Sequence, residues 1–396
     1  MSKRFLLLPY WYLLFTIGFG WFILAPLDPA IAAFLKVDPT SILVVVDAYG
    51  YAMVVLGLVA GAISLKVTVR TALYIAIFLS AVGLLGRALS TGYTEFLVFA
   101  LLAASAYPLA LAPVGSLSAS IDRKHSNLII GMSVGILFIG LAAGSFSGPA
   151  LLQYLGLRNA LLVPVVLGVL AAAVVPIAAR DYPKNYSGRN FKGTFRKGMI
   201  KNWWIGFTVA SLAVMFGGIS ATVLENLHGY AILESISISG ILGGLGFLGS
   251  GLGAATVPAI FERINRLKAG LISTAFAALV TVLLLLFSLV FSRIIILMEI
   301  GFFFFGFFGN AFWSMSLTSV TFYTEDPAKS GFATSMFSVV SNFGVSIVPV
   351  FLGSLFFARS SADYALIIAA GMVVIAALLS PFLIRSRGVP SSGPDN

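Results

Sequence analysis

Apolar runs of roughly 20 to 28 residues, separated by short polar breaks, repeat along the whole chain. A helix rises 1.5 Å per residue, so about 20 apolar residues cross a hydrocarbon layer about 30 Å thick. The pattern predicts twelve spanning helices, at 9–35, 41–63, 70–90, 94–118, 127–151, 159–179, 203–227, 236–257, 269–291, 294–320, 330–357 and 364–384. Most connectors are very short. The exception, 180–202, carries seven Lys or Arg and one acid, and it divides the chain nearly in half. The expected organisation is a six-helix bundle over 1–179, a basic linker over 180–202, and a second six-helix bundle with a short tail over 203–396. The first apolar stretch, from Leu6 to Leu35, is too long for a signal-peptide core and is read as a span.

Composition narrows the class. Hydrophobic residues make up 59% of the 396 and charged residues 10%, against about 25% charged in a soluble domain. A chain this apolar needs a lipid bilayer as solvent. Twelve spans would use about 240 residues, which leaves no room for a soluble catalytic domain, so an enzyme is not expected. The absence of cysteine excludes disulfides, thiolate metal sites and cysteine nucleophiles.

The net charge of +10 could suggest nucleic acid. Its distribution points elsewhere, and no nucleic-acid partner is expected. With both termini on the inner side, 19 of the 24 Lys and Arg fall inside and five outside: Lys36, Arg87, Arg158, Arg293 and Arg359. That asymmetry is the positive-inside pattern of a multi-pass protein. It predicts a cytoplasmic-membrane protein with cytoplasmic N- and C-termini. The halves also echo each other: at an offset of 200, Gly131, Gly144 and Pro149 fall on Gly331, Gly344 and Pro349.

Local patterns in both halves carry a family resemblance. The first span contains Gly20-Trp-Phe-Ile-Leu-Ala-Pro26-Leu-Asp28-Pro29, where two prolines beside an acid make a bent, polar stretch. The fifth span spaces Gly135, Gly144 and Gly148-Pro149, small residues that allow close helix approach. A loop after the eighth span reads Pro258-Ala-Ile-Phe-Glu262-Arg263-Ile-Asn265-Arg266-Leu-Lys268. Together these resemble the twelve-helix transporters of the major facilitator superfamily. The resemblance implies two pseudo-symmetric six-helix bundles and a small-molecule substrate. Gly135, Gly144, Gly148 and Pro149 match the family's antiporter motif, although its closing Gly-Gly is Leu152-Gln153 here. Glu262, Arg263 and Arg266 would form the inner gate. Two features depart from the family: the loop from Gly61 to Arg70 has Leu65 at the acid position and Thr68 at the second glycine, and Leu101 stands where the fourth span's arginine is expected.

Ionisable residues inside a membrane are functional candidates by default. They are Asp28, Asp47, Arg87, Glu225, His228 and Glu299. In the family the first, fourth, seventh and tenth helices line the central cavity. The resemblance therefore gives Asp28, Glu299 and Glu225 substrate or proton binding. Asn310 and Trp313 share the tenth-span polar stripe with Glu299, and Asp47 joins this set as an outer acid. Acids outnumber bases there, and a carboxyl surrounded by hydrocarbon can exchange a proton as its surroundings change. The expected function is secondary transport by alternating access, proton-coupled, as an antiporter or exporter of a neutral or cationic solute.

The alternatives are a divalent-metal exporter using Asp28 and His228, or a uniporter or sensor that keeps the fold. The expected partners are the substrate, protons and the bilayer, with the chain a monomer; neither a cofactor nor a resident metal is expected. Gly244-Leu-Gly246-Phe-Leu-Gly249 matches a dinucleotide fingerprint as a string but lacks the strand before it. The run from Gly243 to Gly253 instead predicts a close-packing helix face.

Overall fold

The computed structural model describes residues 3–66, 69–114, 117, 121, 126–182, 196–320, 323 and 327–384, and among them all regular structure is helical. The first half contains α1 (Leu7–Phe22), α2 (Asp28–Leu35), α3 (Pro39–Val46), α4 (Ala48–Lys66), α5 (Val69–Leu89), α6 (Tyr93–Ala104), α7 (Ala106–Leu111), α8 (Ser126–Leu155) and α9 (Leu157–Ala179). The second half contains α10 (Ile200–His228), α11 (Ile232–Arg263), α12 (Leu267–Phe291), α13 (Ile295–Val320), α14 (Pro327–Val348) and α15 (Arg359–Leu379).

Eleven helical segments among the described residues are long and apolar enough to cross a membrane. The first span falls short of that length because it is split, and Leu7–Phe22 is its longer piece. The split has a local cause. Pro26 offers no backbone N–H, and the chain turns through short bonds from Leu27 N–H to Leu24 and from Asp28 N–H to Ala25. Helix geometry resumes at Asp28, with Pro29 in the first turn of α2. Lys36, at φ 57°, closes α2 in the left-handed region, and the Asp38 side chain caps α3 by accepting from the Thr40 N–H. Gly156 and Gly229, at φ 75° and 73°, make the turns after α8 and α10 that a side chain would resist.

Packing repeats between the halves. In the first half α1 packs on α8, α4 on α6 and α7, and α5 on α9; in the second α10 packs on α14, α11 on α13, and α12 on α15. The two most extensive contacts between the halves, α8 with α11 and α4 with α14, are equivalent under the same repeat, and α2 and α3 add smaller contacts with α10. The glycines at offset 200 keep equivalent places. A Cβ at Gly144 would lie 2.6 Å from the Phe19 carbonyl oxygen on α1, and one at Gly344 would lie 2.6 Å from the Phe207 carbonyl oxygen on α10. This is an all-helical fold of two pseudo-symmetric six-helix bundles.

Large apolar side chains such as Val55, Phe78, Val166, Phe276, Ile296 and Ile367 point outward and stay exposed, as a lipid-facing surface requires. At the end bearing the 180–202 linker, Arg70 donates to the Ala179 and Arg180 carbonyls at 2.9 and 2.5 Å. Tyr182 donates to the Leu6 carbonyl at 2.6 Å, and burial pushes its phenol above the ordinary value, so it remains a protonated donor. At the far end, Arg359 donates to the Val290 carbonyl at 2.6 Å and lies 5.0 Å from the Phe291 ring, which satisfies the last turn of α12.

Candidate functional site

The break between α1 and α2 carries Asp28 into the protein interior. It is fully buried in the first turn of α2, where the positive end of the helix favours an acid. Its Oδ2 accepts from the Thr222 hydroxyl of α10 at 3.0 Å, which joins the two halves. Oδ1 has no hydrogen-bond partner among the described residues. The charged groups whose fields reach Asp28 are Asp38 and Glu225, and Glu225 is half-buried near the end of α10.

Arg87, one of the ionisable residues that the sequence offers inside the membrane, is fully buried near the end of α5. One terminal nitrogen donates to the Gly20 carbonyl at 2.8 Å, and Tyr49 lies beside the guanidinium. Nε and the other terminal nitrogen have no hydrogen-bond partner among the described residues.

Aromatic rings continue from Arg87 toward the second half. Tyr49 stacks on Trp21 at 4.6 Å with planes 6° apart, and Tyr107 of α7 lies 5.5 Å from Trp21. The Trp21 indole donates to the Val46 carbonyl at 2.7 Å, just before the break that places Asp47 between α3 and α4. Asp47 is fully buried, with no hydrogen-bond partner for either oxygen among the described residues. Tyr107 reaches Asn342 of α14, whose amide donates to the Ser338 carbonyl of its own helix. The structure therefore gathers the buried Arg87 of α5 with Trp21, Tyr49 and Tyr107 of α1, α4 and α7, sets Asn342 of α14 beside Tyr107, and places buried Asp47 next to Val46, whose carbonyl the Trp21 indole reaches. Trp21, Tyr49, Tyr107 and Thr222 are additions to the sequence-derived set. An aromatic in an apolar run reads as core, and only the proximity of Arg87 and Asn342 distinguishes these.

The other expected residues lie apart from this cluster. Glu299 is half-buried near the start of α13. Asn310 donates to the Ser250 hydroxyl at 2.7 Å and ties α13 to α11. The Trp313 indole donates to the Ser341 hydroxyl at 3.2 Å and ties α13 to α14. His228 contacts the Leu289 carbonyl at 2.7 Å, and no group of three potential metal-ligating side chains gathers among the described residues. Arg263 and Arg266 are exposed at the linker end; the Glu262 side chain lies outside the described residues, as does most of the 61–70 motif.

The antiporter-like series sits at a double interface. Gly144 and Gly148 face Phe19, Ile23 and Pro26 of the first span. Pro149 and Ser145 face Gly240 of α11, with the Ser145 hydroxyl donating to the Gly240 carbonyl at 3.2 Å. Farther along the same two helices, Gly135 lies opposite Gly251.

Comparison with known proteins agrees with this architecture. The Major Facilitator Superfamily model matches residues 10–298 and 235–396. The structure is similar to a crystal structure of the nucleoside transporter NupG, with a TM-score of 0.71 and 17% sequence identity, covering 97% of this chain and 100% of that one. At that identity the likeness speaks for the fold. No curated protein matches the sequence. Family and neighbour are transporters, not enzymes. Twelve spans in two repeated bundles, joined through α8 with α11 and α4 with α14, thus meet a family match over nearly the whole chain: the protein belongs to the Major Facilitator Superfamily and is a multi-pass secondary transporter.

Proposed function

We propose that the protein moves a small neutral or cationic solute by alternating access, and that Asp28 couples this movement to protons. The carrying observation is the Asp28 side chain, fully buried and hydrogen-bonded across the halves to Thr222. A carboxylate without full solvation is costly in a hydrocarbon setting. Separation of α2 from α10 would remove the Thr222 hydroxyl and admit water to Asp28. Proton occupancy and the closure of this end would then depend on each other. Asp47, Glu225 and Glu299 are the secondary acids of this scheme.

The antiport direction is supported by Gly135, Gly144, Gly148 and Pro149, which lie on a helix touching both halves. Arg263 and Arg266, with Glu262, are proposed as the inner gate. The proposed placement is the cytoplasmic membrane with both termini and the basic linker inside, the chain acting as a monomer. The bundle boundaries 1–179 and 203–396 are those of the two halves in this scheme.

The test is reconstitution in liposomes with an imposed pH gradient and a panel of neutral and cationic solutes. Asp28→Asn retains an oxygen that can accept from Thr222 but cannot carry a proton. It is expected to keep solute exchange and to lose pH-driven accumulation. Equal pH-driven accumulation by Asp28→Asn and the unmodified protein would remove Asp28 from the coupling path.

A further inference from the structure

At the linker end, a cavity of ≈ 560 Å³ opens beside the first turn of α10, the start of α12 and the segment after α15. Four bases line it, Arg196, Lys197, Lys201 and Lys268, and no acid does among the described residues. The volume lies within the range of small-molecule sites, roughly 300–1,000 Å³. Two helix starts add partial positive charge. The 3-10 turn Lys197–Met199 that leads into α10 has no side-chain cap, and neither has α12.

The other wall is apolar. Phe382 is 60% exposed and carries the Lys201 ammonium 5.5 Å from its ring centre. Tyr323 is buried in the lining, its hydroxyl bonded to the Leu383 carbonyl at 3.0 Å. The recess lies at the start of the apolar span Lys197–His228, the level at which Lys and Arg meet lipid headgroups. A recess basic on one side and apolar on the other, at headgroup level, suits an amphiphile.

We propose that this recess binds the phosphate headgroup of an anionic phospholipid, with Lys201 and Lys268 gripping the phosphate and Phe382 lying along the chains. Free inorganic phosphate offers the same oxygens but nothing for the apolar wall, so the lipid is the chosen occupant. The proposal goes beyond the transport reading and is independent of Asp28.

The test is native mass spectrometry of the full-length protein from mixed micelles containing equal phosphatidylglycerol and phosphatidylcholine. The unmodified protein should retain phosphatidylglycerol preferentially, and excess inorganic phosphate should not displace it. Lys201→Gln/Lys268→Gln should weaken that retention by roughly twenty-fivefold, as expected when each of two surface lysines contributes about fivefold to anionic-lipid attraction. Arg180→Gln/Arg263→Gln, which removes two exposed bases of the same end outside the recess, should retain the preference. Monodisperse elution of each variant establishes that it is folded. Equal retention of both lipids, equal losses in the two double variants, or displacement by inorganic phosphate would each overturn the assignment.

Discussion

At the scale of single residues, the interior holds charge that an apolar bundle tolerates only for a reason. Leaving one buried polar group unpaired costs about 1–3 kcal/mol, and Asp28, Asp47 and Arg87 each bury nitrogen or oxygen without a hydrogen-bond partner among the described residues. Stability alone would not retain Arg87. Replacing a buried ion by an apolar side chain of similar volume is often neutral or stabilising. Arg87→Met is therefore expected to shift Tm by less than about 5 °C. If the guanidinium serves the cycle through Gly20 and Tyr49, the same change should lower transport by roughly tenfold or more, a barrier change of about 1.4 kcal/mol. A large fall in Tm with unaltered transport per folded molecule would make Arg87 a structural residue. Asp28 was legible in the sequence because an acid between two prolines breaks an apolar run. Arg87 was legible as an ionisable residue near a span end, but charge counting does not see the helix face it occupies. The chain's own fold turns that face toward Gly20 and Tyr49.

At the scale of elements, glycine determines which helices meet and how closely. Gly243–Gly253 serves as the close-packing face expected from sequence: Cβ atoms at Gly249 and Gly253 would strike the backbone of α13 at Phe303 and Phe307. The less legible part is that α11 presents a second glycine face to α8, which depends on the tertiary path. Pro149 cannot donate to the Ser145 carbonyl four residues before it. That oxygen lies 2.8 Å from where a Gly240 Cβ would stand, and the Pro149 ring lies 2.5 Å from it. Both neighbours are stiff, so Gly240→Ala must push α8 and α11 apart. Overpacking of this kind costs about 1–3 kcal/mol, and here the strain falls on one conformer of the cycle. With no native cysteine, a single Leu43→Cys on α3 reports opening of the far end through maleimide labelling. Gly240→Ala should raise the labelling rate about fivefold or more. Gly306→Ala meets the Gly246 backbone within one half. It should lower Tm and leave labelling unchanged. Equal labelling in all three proteins would mean that the α8–α11 contact does not govern closure.

At the scale of the whole molecule, span number, the midpoint linker and the repeat were legible because each follows from a long-range pattern of hydropathy and charge. The contacts that join the halves were not, since α4 and α14 are nearly 300 residues apart and no local pattern pairs them. Their closeness can be made to test the cycle itself. A Cβ at Gly50 of α4 would lie 2.9 Å from Ser346 Oγ on α14. A serine Cβ–Oγ bond adds about 1.4 Å, so the two Cβ atoms lie no more than about 4.3 Å apart, inside the disulfide range of about 3.5–4.5 Å. In this cysteine-free chain, Gly50→Cys/Ser346→Cys should form one defined bond under mild oxidation. If the halves must part between α4 and α14 in every turnover, the bond holds the protein in this conformer. Oxidised protein should then lose transport by at least roughly tenfold, while dithiothreitol restores it. Solute binding from the linker side should survive, because the bond constrains only the joint near Gly50. Each single-cysteine variant should transport in both redox states, which separates the cross-link from crowding at Gly50 by the added side chain. Full transport by the oxidised, cross-linked protein would show that α4 and α14 stay together throughout the cycle. The moving joint would then be α8 with α11 alone, and the pseudo-symmetric pair of interfaces would be unequal in use despite their equal construction.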